Sequence, residues 1–354
     1  MSQPVLQVSD LHVRIASRRG VVRAVDGVSL EVPQSEAVGL VGESGSGKSM
    51  TLKAVLGVLP PEAKVTAGEV LLDGRNLVGL SHAELNQVRG TKLAMIFQEP
   101  MSTLNPVMQI GRQIAEAPQI HLDMNRAKAT ERALDLMRRV GIPDPERRFR
   151  SFPHEFSGGM RQRVMIAMAL SCEPEVILCD EPTTALDVTI QDQILRLLAR
   201  LCRESGVSLV FVTHDLPVVA QVCQRLAVMY AGQVVEQGVV REVLTEPRHP
   251  YTLGLVRSAP DVDRVRSSLV AIPGSPPSLI DPPSGCRFHP RCKFAEEDCL
   301  VTDPPLRLID AGHATACLHH ERCIDALRAD KDETGPAAGG TAHTEEAHAQ
   351  EADR

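Results

Sequence analysis

Short, continuous apolar runs at 176–179 and 208–212 are the most regular hydrophobic pattern in this chain. Each run ends in polar residues, which is typical of parallel strands that are buried on both faces. Between the runs, apolar residues recur at helical spacing over 190–201, and Gly206 follows as a helix stop. A helix is therefore expected to connect the two strands, and the pattern indicates an α/β fold with a parallel sheet.

The first forty residues have a different pattern. The stretches 6–8 and 21–25 have the alternating character of strands that are buried on one face, and Gly20 and Gly27 punctuate them. They predict an antiparallel β subdomain that leads into the parallel sheet.

Helical signals dominate the region between the early strands and the central runs. Ser81 followed by Glu84 predicts a capping box at a helix start, and 130–140 predicts a helix that Gly141 closes. We therefore expect a helical insertion over about 98–168.

The chain changes in character after about residue 240, where prolines become frequent and regular secondary structure is expected to be sparse. Five of the nine cysteines also fall there, so the pattern predicts a small loop-rich module over 266–328. The segment 329–354 has almost nothing to bury and an excess of acidic residues, which predicts a disordered acidic tail.

Composition narrows the class of protein. The chain has 354 residues, of which 43% are hydrophobic and 23% are charged, as in an ordinary globular protein with a substantial core. No apolar run approaches the ~20 residues that cross a bilayer, and the start lacks signal-peptide features, so we expect residence in the cytosol without disulfides. The net charge of −7 argues against a nucleic-acid partner.

A complete phosphate-binding loop lies between an apolar run at 37–41 and a helix-like stretch that begins at Met50. The loop consists of Gly42, Glu43, Ser44, Gly45, Ser46, Gly47, Lys48 and Ser49. Its glycines allow successive N–H groups to converge on phosphate oxygens, and the start of the following helix adds to the attraction. Lys48 would reach the β- and γ-phosphates, and Ser49 would ligate Mg²⁺.

Acidic residues and a histidine follow the two central runs. Asp180 and Glu181 end the first run, and alternation along a strand would send their side chains to opposite sides. Asp180 would hold the Mg²⁺ ion that Ser49 binds, and Glu181 could polarise the attacking water. His214 ends the second run, at the same edge of the sheet.

A second glycine-containing helix start occurs within 156–163. Its residues Ser157, Gly158, Gly159 and Met160 could form an anion-binding nest, or Ser157 could simply cap the helix.

Together these motifs resemble the nucleotide-binding subunit of an ABC transporter, a P-loop NTPase with a RecA-like cassette. The matching elements, in family order over about 5–240, are the Walker A loop 42–49, the Q-loop residue Gln98, the signature residues Ser157–Gly158–Gly159, the Walker B acids Asp180 and Glu181, the D-loop Ala185–Leu186–Asp187, and the switch histidine His214. The resemblance implies a nucleotide-binding domain over 1–265 that hydrolyses ATP.

The resemblance also implies roles for these positions. It assigns catalysis to Glu181, His214 and Gln98, and it assigns Mg²⁺ ligation to Ser49, Gln98 and Asp180. Residues 42–50 would bind ATP, while the signature segment with Met160 and Asp187 would complete the ATP site of a second cassette clasped head to tail. The family usually stacks an aromatic residue on adenine, but 17–23 contains none, so this contact would fall to Arg19 or Val22.

Longer matches at 95–106, 249–252 and 258–260, together with the cysteine segment, are similar to the oligopeptide/dipeptide (peptide/nickel) importers, and in particular to the longer ATPase of their usual pair. The resemblance implies a peripheral ATPase at the cytoplasmic face of the membrane. Its partners would be a non-identical second ATPase, two transmembrane permeases and, indirectly, an extracytoplasmic solute-binding protein. The alternatives are a soluble ABC ATPase that acts on DNA or ribosomes, and an importer of nickel or another non-peptide solute.

Cys286, Cys292, Cys299 and Cys317 suggest a metal site, since four thiols lie close together in the sequence of a loop-rich module. Their spacing admits either zinc or a [4Fe–4S] cluster. The nearby histidines His289, His313, His319 and His320 keep zinc open. The family resemblance favours the iron–sulfur cluster, for which we expect a structural role and not a redox one.

Overall fold

Two β-sheets form the framework of the computed structural model, which describes residues 3–184, 186–258 and 271–333, with side chains described as far as 327. The strands are β1 Leu6–Ser17, β2 Gly20–Val32, β3 Ala37–Val41, β4 Ala63–Leu72, β5 Arg75–Asn76, β6 Leu93–Ile96, β7 Val176–Asp180, β8 Ser208–Thr213, β9 Arg225–Tyr230, β10 Gln233–Val239, β11 Arg307–Asp310 and β12 His313–Thr315. The helices are α1 Lys48–Leu56, α2 His82–Val88, α3 Pro100–Thr103, α4 Ile110–His121, α5 Arg126–Arg139, α6 Pro145–Arg148, α7 Gly158–Ala169, α8 Val188–Ser205, α9 Leu216–Val222, α10 Val240–Thr245, α11 Pro250–Ser258, α12 Glu297–Val301 and α13 Glu321–Glu333.

The larger sheet has the strand order β11-β12-β10-β9-β3-β8-β7-β6, and its strands from β9 to β6 pair in parallel. The two apolar runs predicted as parallel strands are its neighbours β7 and β8, in register from Val176 opposite Ser208. The predicted connecting helix is α8, which Gly206 terminates in the left-handed conformation. The prediction of a parallel α/β sheet is therefore confirmed.

Alternate residues of the central strands feed two separate hydrophobic cores. In β7, Val176 and Leu178 face the core shared with α1 and the antiparallel sheet, whereas Ile177 and Cys179 face the helical core. Strands β3 and β8 divide their residues in the same way. Because both faces are covered, these strands are apolar throughout their middle, and polar residues stand only at their ends.

The smaller sheet has the order β2-β1-β4-β5 and is antiparallel throughout. Its strands β1 and β2 contain the two stretches that the sequence assigned to an antiparallel subdomain. The capping box predicted at Ser81 opens α2, where Ser81 Oγ accepts a hydrogen bond from the N–H of Glu84 at 3.3 Å.

The segment between β6 and β7 is mainly helical and contains α3 to α7. The helix predicted at 130–140 begins earlier, at Arg126, because Asn125 accepts a hydrogen bond from the N–H of Lys128 and caps it. No helix in the described parts of the chain is long and apolar enough to cross a membrane.

The cysteine-rich segment is integrated into the larger sheet. Its strands β11 and β12 extend the sheet through β10, so part of the module expected to be loop-rich is regular structure. The expected domain boundary near 265 lies outside the described residues. Helix α13 reaches Glu333, so it includes the start of the segment 329–354 that was expected to be disordered, and the remainder of that segment is outside the described residues.

One buried carboxylate holds this extension in place. Glu236 of β10 is fully buried and accepts hydrogen bonds from the backbone N–H groups of Arg248 and His249 at 2.6 and 2.9 Å. Its side chain also lies 2.7 Å from Nε2 of His313 in β12. A buried carboxylate with three partners therefore joins β10, the start of α11 and β12.

The substitution Glu236→Ala should destabilise the protein by about 3 kcal/mol, because it leaves buried donors without an acceptor. Urea unfolding of the full chain would measure the loss. Glu297→Ala is the matched control, since Glu297 is exposed in α12 and its removal should change stability by less than about 0.5 kcal/mol. Equal effects of the two substitutions would contradict the role assigned to Glu236.

Candidate functional site

The phosphate-binding loop connects the end of β3 to the start of α1 in a path that requires glycine. A Cβ atom at Gly42 would lie 2.1 Å from the carbonyl oxygen of Met229. Gly47 caps α1 with φ of 107°, and a Cβ atom there would lie 2.4 Å from the carbonyl oxygen of Ala24. The loop therefore packs its backbone against two neighbouring strands and leaves the start of α1 open to a ligand.

Lys48 and Ser46 supply polar atoms within this loop. The Lys48 ammonium group is buried and donates hydrogen bonds to the carbonyl oxygens of Gly42 and Glu43 at 2.7 and 3.0 Å. Burial lowers the pKa of Lys48, although the carboxylates nearby oppose the shift. The buried Ser46 hydroxyl has no hydrogen-bond partner among the described residues. A buried cation and an unpartnered hydroxyl fit a phosphate group.

Ser49 and Asp180 meet at the end of β7. The Ser49 hydroxyl donates a hydrogen bond to Asp180 Oδ1 at 2.8 Å. Burial raises the pKa of Asp180, while this hydrogen bond acts in the opposite direction. The pair presents two oxygen ligands of the kind that Mg²⁺ prefers, beside the loop that fits phosphate.

Glu181 lies at the centre of a second polar group at the same sheet edge. Its φ is 46°, so the chain leaves the extended conformation there, and strand alternation does not set the side-chain direction. Glu181 Oε2 accepts hydrogen bonds from Thr184 Oγ1 at 2.9 Å and from Gln98 Nε2 at 3.4 Å. Its Oε1 lies 3.5 Å from Nδ1 of His214. The structure therefore brings Gln98, Glu181 and His214 together, as an acid–base site requires.

The signature residues lie at the start of α7. Ser157 caps this helix and accepts a hydrogen bond from the N–H of Met160 at 3.4 Å. Ser157 and Gly158 are exposed, and no hydrogen bond or ion pair between described residues joins them to the phosphate-binding loop. This helix start is therefore available to a ligand or partner from outside the chain.

The D-loop residues lie before α8. Asp187 is exposed and caps α8, where it accepts a hydrogen bond from the N–H of Ile190 at 2.9 Å. Leu186 packs against the helical core, and Ala185 lies outside the described residues.

The two residues expected near adenine lie on the hairpin between β1 and β2. Arg19 is exposed and Val22 is half-buried. A Cβ atom at Gly20, between them, would lie 2.9 Å from a methyl carbon of Ile280, so the C-terminal segment packs on this hairpin. Sequence analysis missed Ile280 because it lies about 260 positions from the hairpin.

Two further contacts at the phosphate-binding loop also come from the C-terminal part. The N–H of Glu43 donates a hydrogen bond to Tyr251 Oη at 2.8 Å, and the Glu43 carboxylate pairs with Arg291 at 2.8 and 3.0 Å. The only available sequence signal was the similarity at 249–252 to the importer family, which gives no contact.

Four of the five cysteines of the C-terminal segment line one pocket, together with Phe288, Phe294 and His319. They are Cys286, Cys292, Cys299 and Cys317. Burial raises the pKa of Cys286 to about 11 and that of Cys317 to about 12. The fifth, Cys323, is buried but does not line the pocket. The four cysteines outside this segment are buried in the helical core, namely Cys172, Cys179, Cys202 and Cys223.

The spacing of the pocket sulfurs bears on what could bind. Among the described residues, the ligand atoms of Asp298, Cys299 and His319 lie within 4.8 Å of one another, and no three of the four cysteine sulfurs do so. A tetrahedral zinc ion with Zn–S bonds of about 2.3 Å holds its sulfurs about 4 Å apart. No three of the four cysteine sulfurs therefore have the mutual spacing of ligands around a single zinc ion.

Comparison with known proteins identifies the family. A family model described as "ABC transporter" matches residues 25–184, and one described as "Oligopeptide/dipeptide transporter, C-terminal region" matches 235–299. A probable peptide ABC transporter ATP-binding protein of Sinorhizobium fredii is 53% identical over 323 residues, which cover 91% of this chain and 96% of that protein. A dipeptide transport ATP-binding protein of Bacillus subtilis is 46% identical over 327 residues, which cover 92% and 98%.

Solved structures agree with this assignment. The dimeric structure of a bacterial ABC transporter cassette has a TM-score of 0.60 and 29% identity, and the match covers 67% of this chain and 99% of that one. A cassette from Clostridium perfringens, part of an ABC transporter complex, has a TM-score of 0.59 and 26% identity, with coverage of 69% and 92%. The chain belongs to the ABC transporter ATPase family, within the group of peptide transporter ATP-binding proteins.

Proposed function

We propose that this chain is the ATP-hydrolysing subunit of a peptide importer and that it energises uptake of dipeptides or oligopeptides through two membrane permeases. The observation that carries the proposal is the convergence of Gln98, Glu181 and His214 beside the Ser49–Asp180 pair. The peptide substrate is supported by the names of the relatives and by the match to the C-terminal region of oligopeptide/dipeptide transporters.

In the proposed site, residues 42–50 bind the ATP phosphates and Lys48 neutralises their charge. Ser49 and Asp180 would hold Mg²⁺, with Gln98 as a further ligand, and the bound ion would supply positive charge to the phosphate oxygens. Glu181 accepts a proton from the attacking water, and His214 orients Glu181 and the leaving phosphate. Arg19 and Val22, with Ile280 beside their hairpin, form the adenine end.

The exposed signature segment supports a dimer of cassettes. Ser157, Gly158, Gly159 and Met160, together with Asp187, would contact ATP bound to the partner, which we propose is a non-identical homologue. Dimeric structures are known for a related cassette. The permeases would contact the segment after Gln98, where Met101 and Val107 expose 54% and 83% of their surface. In this proposal the chain is a peripheral protein at the cytoplasmic face of the membrane, and a solute-binding protein lies on the other side.

The cysteine-lined pocket would hold a [4Fe–4S] cluster through Cys286, Cys292, Cys299 and Cys317. Its support is the family resemblance and the sulfur spacing, since no three of the four sulfurs have the mutual spacing of ligands around a single zinc ion. Bound there, a cluster would join three parts of the C-terminal segment by iron–sulfur bonds. A smaller zinc site at Asp298, Cys299 and His319 is the alternative that metal analysis must distinguish.

The substitution Glu181→Gln should leave ATP binding intact and lower steady-state hydrolysis by at least ~100-fold, because the general base is lost. Phosphate release and equilibrium binding of ATP by the assembled complex measure the two quantities. The control is Glu204→Gln, at an exposed position in α8, which should hydrolyse ATP like the wild type. Hydrolysis retained by the Glu181 variant would remove Glu181 from the catalytic role.

Copurification tests the proposed partners. The tagged chain should copurify with two multispanning permeases and a shorter homologous ATPase, and ATP should dimerise the Glu181→Gln chain only when that homologue is present. A chain that reaches the complex's ATPase rate as a homodimer contradicts the non-identical partner. A stable complex with ribosomes or DNA alone contradicts the transport function.

Protein purified without oxygen should contain about four iron and four sulfide per chain, as a [4Fe–4S] cluster requires. Cys292→Ser should lose them, whereas Cys323→Ser should keep them, because Cys323 is buried nearby but does not line the pocket. Stoichiometric zinc without sulfide would overturn the cluster and favour the smaller site.

A further inference from the structure

A short part of the cysteine-rich segment, 286–292, reaches the ATP site. Its two arginines, Arg287 and Arg291, expose only 6% and 5% of their side chains. Arg287 forms an ion pair with Asp26 of β2. Arg291 donates hydrogen bonds to both carboxylate oxygens of Glu43, at 2.8 and 3.0 Å. The phosphate-binding loop is therefore held by a side chain 248 positions further along the chain.

The Arg291 guanidinium group is fixed on every side. Its Nε donates to the carbonyl oxygen of Pro273 at 2.8 Å, and one terminal nitrogen lies 3.3 Å from Tyr230 Oη. Its carbon lies 5.7 and 5.9 Å from the ring centres of Tyr230 and Phe288. An immobilised, planar guanidinium holds a carboxylate in a defined direction at little further cost in entropy.

Glu43 connects Arg291 to Lys48 of the phosphate-binding loop. Its carbonyl oxygen accepts a hydrogen bond from Lys48 Nζ at 3.0 Å, and its N–H donates to Tyr251 Oη. Contacts therefore run without interruption from Arg291 through Glu43, the second residue of the phosphate-binding loop, to Lys48.

The negative charge of Glu43 would repel the phosphates of a nucleotide if Arg291 did not compensate for it. A carboxylate in a loop that binds a triphosphate repels the ligand, and the repulsion is stronger in a partly buried site than in water. The Glu43 side chain exposes 26% of its surface, so water screens it only in part. The bidentate pair with Arg291 offsets this negative charge and holds the carboxylate in one orientation.

We propose that Arg291 is a positioning residue of the ATP site, which acts through Glu43, and that the cysteine-lined pocket controls the phosphate-binding loop through it. Cys286 and Cys292 flank the segment that carries Arg291, and Phe288 both lines the pocket and packs on the guanidinium group. The link to the pocket rests on the cluster proposed above, whereas the role of Arg291 stands on the contacts alone.

A double-mutant cycle in the full chain tests the role of Arg291. Arg291→Met should weaken binding of a non-hydrolysable ATP analogue by about tenfold, because Glu43 is left uncompensated. In the transporter complex, KM for ATP should rise by a similar factor while kcat stays within about twofold. Adding Glu43→Gln to Arg291→Met removes the uncompensated charge, so the double variant should recover most of the affinity that Arg291→Met loses, and Glu43→Gln alone supplies the fourth corner of the cycle.

The recovery distinguishes charge compensation from packing. If Arg291 only filled space, the double variant would bind as weakly as Arg291→Met, and that result would overturn the proposal, as would unchanged affinity in Arg291→Met. Arg307→Met is the matched control, since Arg307 is exposed on β11, and it should bind like the wild type. Arg291→Lys keeps the positive charge but cannot form two parallel hydrogen bonds to the Glu43 carboxylate, so it should show an intermediate loss of affinity for the analogue. It replaces the Met variant if that variant does not fold.

Removal of the pocket's metal tests the link to the cysteines. Chelation should weaken binding of the analogue to the wild type by about tenfold. The affinity of the Glu43→Gln/Arg291→Met variant should not change, because that variant already lacks the contact between Arg291 and Glu43. Equal losses in both proteins would overturn the link. A protein purified without metal would contradict the cluster and the link, and the double-mutant cycle would still decide the role of Arg291.

Discussion

Parallel pairing of β3, β8 and β7 is the constraint on which the rest of the structure depends. Parallel strands bring their carboxyl ends to one sheet edge, so the residues that follow them meet in space. The phosphate-binding loop follows β3, Asp180 ends β7, and His214 follows β8. A one-residue change of register would move Asp180 away from Ser49 and would send the side chains that fill one core into the other.

Burial at this sheet edge disfavours charged side chains, and hydrogen bonds and opposite charges nearby offset that cost. Burial disfavours the charged forms of both Lys48 and Asp180, as the directions of their pKa shifts indicate. The lysine is stabilised by nearby carboxylates and by two carbonyl oxygens, and Asp180 by the Ser49 hydroxyl. Such a site is suited to Mg²⁺ and phosphate. The negative phosphate groups would pair with Lys48, and the positive Mg²⁺ ion would pair with Asp180.

The C-terminal segment extends this arrangement. Tyr230 and Tyr251, the only tyrosines in the chain, pack with Phe288 at ring-centre distances of 4.6 to 5.5 Å. This aromatic cluster lies between the cysteine-lined pocket and the phosphate-binding loop, which it contacts through the Tyr251 hydroxyl. The family model for the C-terminal region thus covers residues that contact the phosphate-binding loop, namely Tyr251 and Arg291.

The sequence by itself determined the phosphate-binding loop, the two buried parallel strands and the identity of the polar residues after them, because each is encoded in a short run of neighbouring residues. It also determined the helix starts at Ser81 and Ser157, where one side chain caps a local turn. The tertiary structure alone decided where the C-terminal segment packs, since Arg291 and Ile280 reach partners some 250 residues away and no local pattern encodes such a contact. It also decided the direction of Glu181, because the left-handed conformation at that residue interrupts the alternation on which the sequence prediction depended.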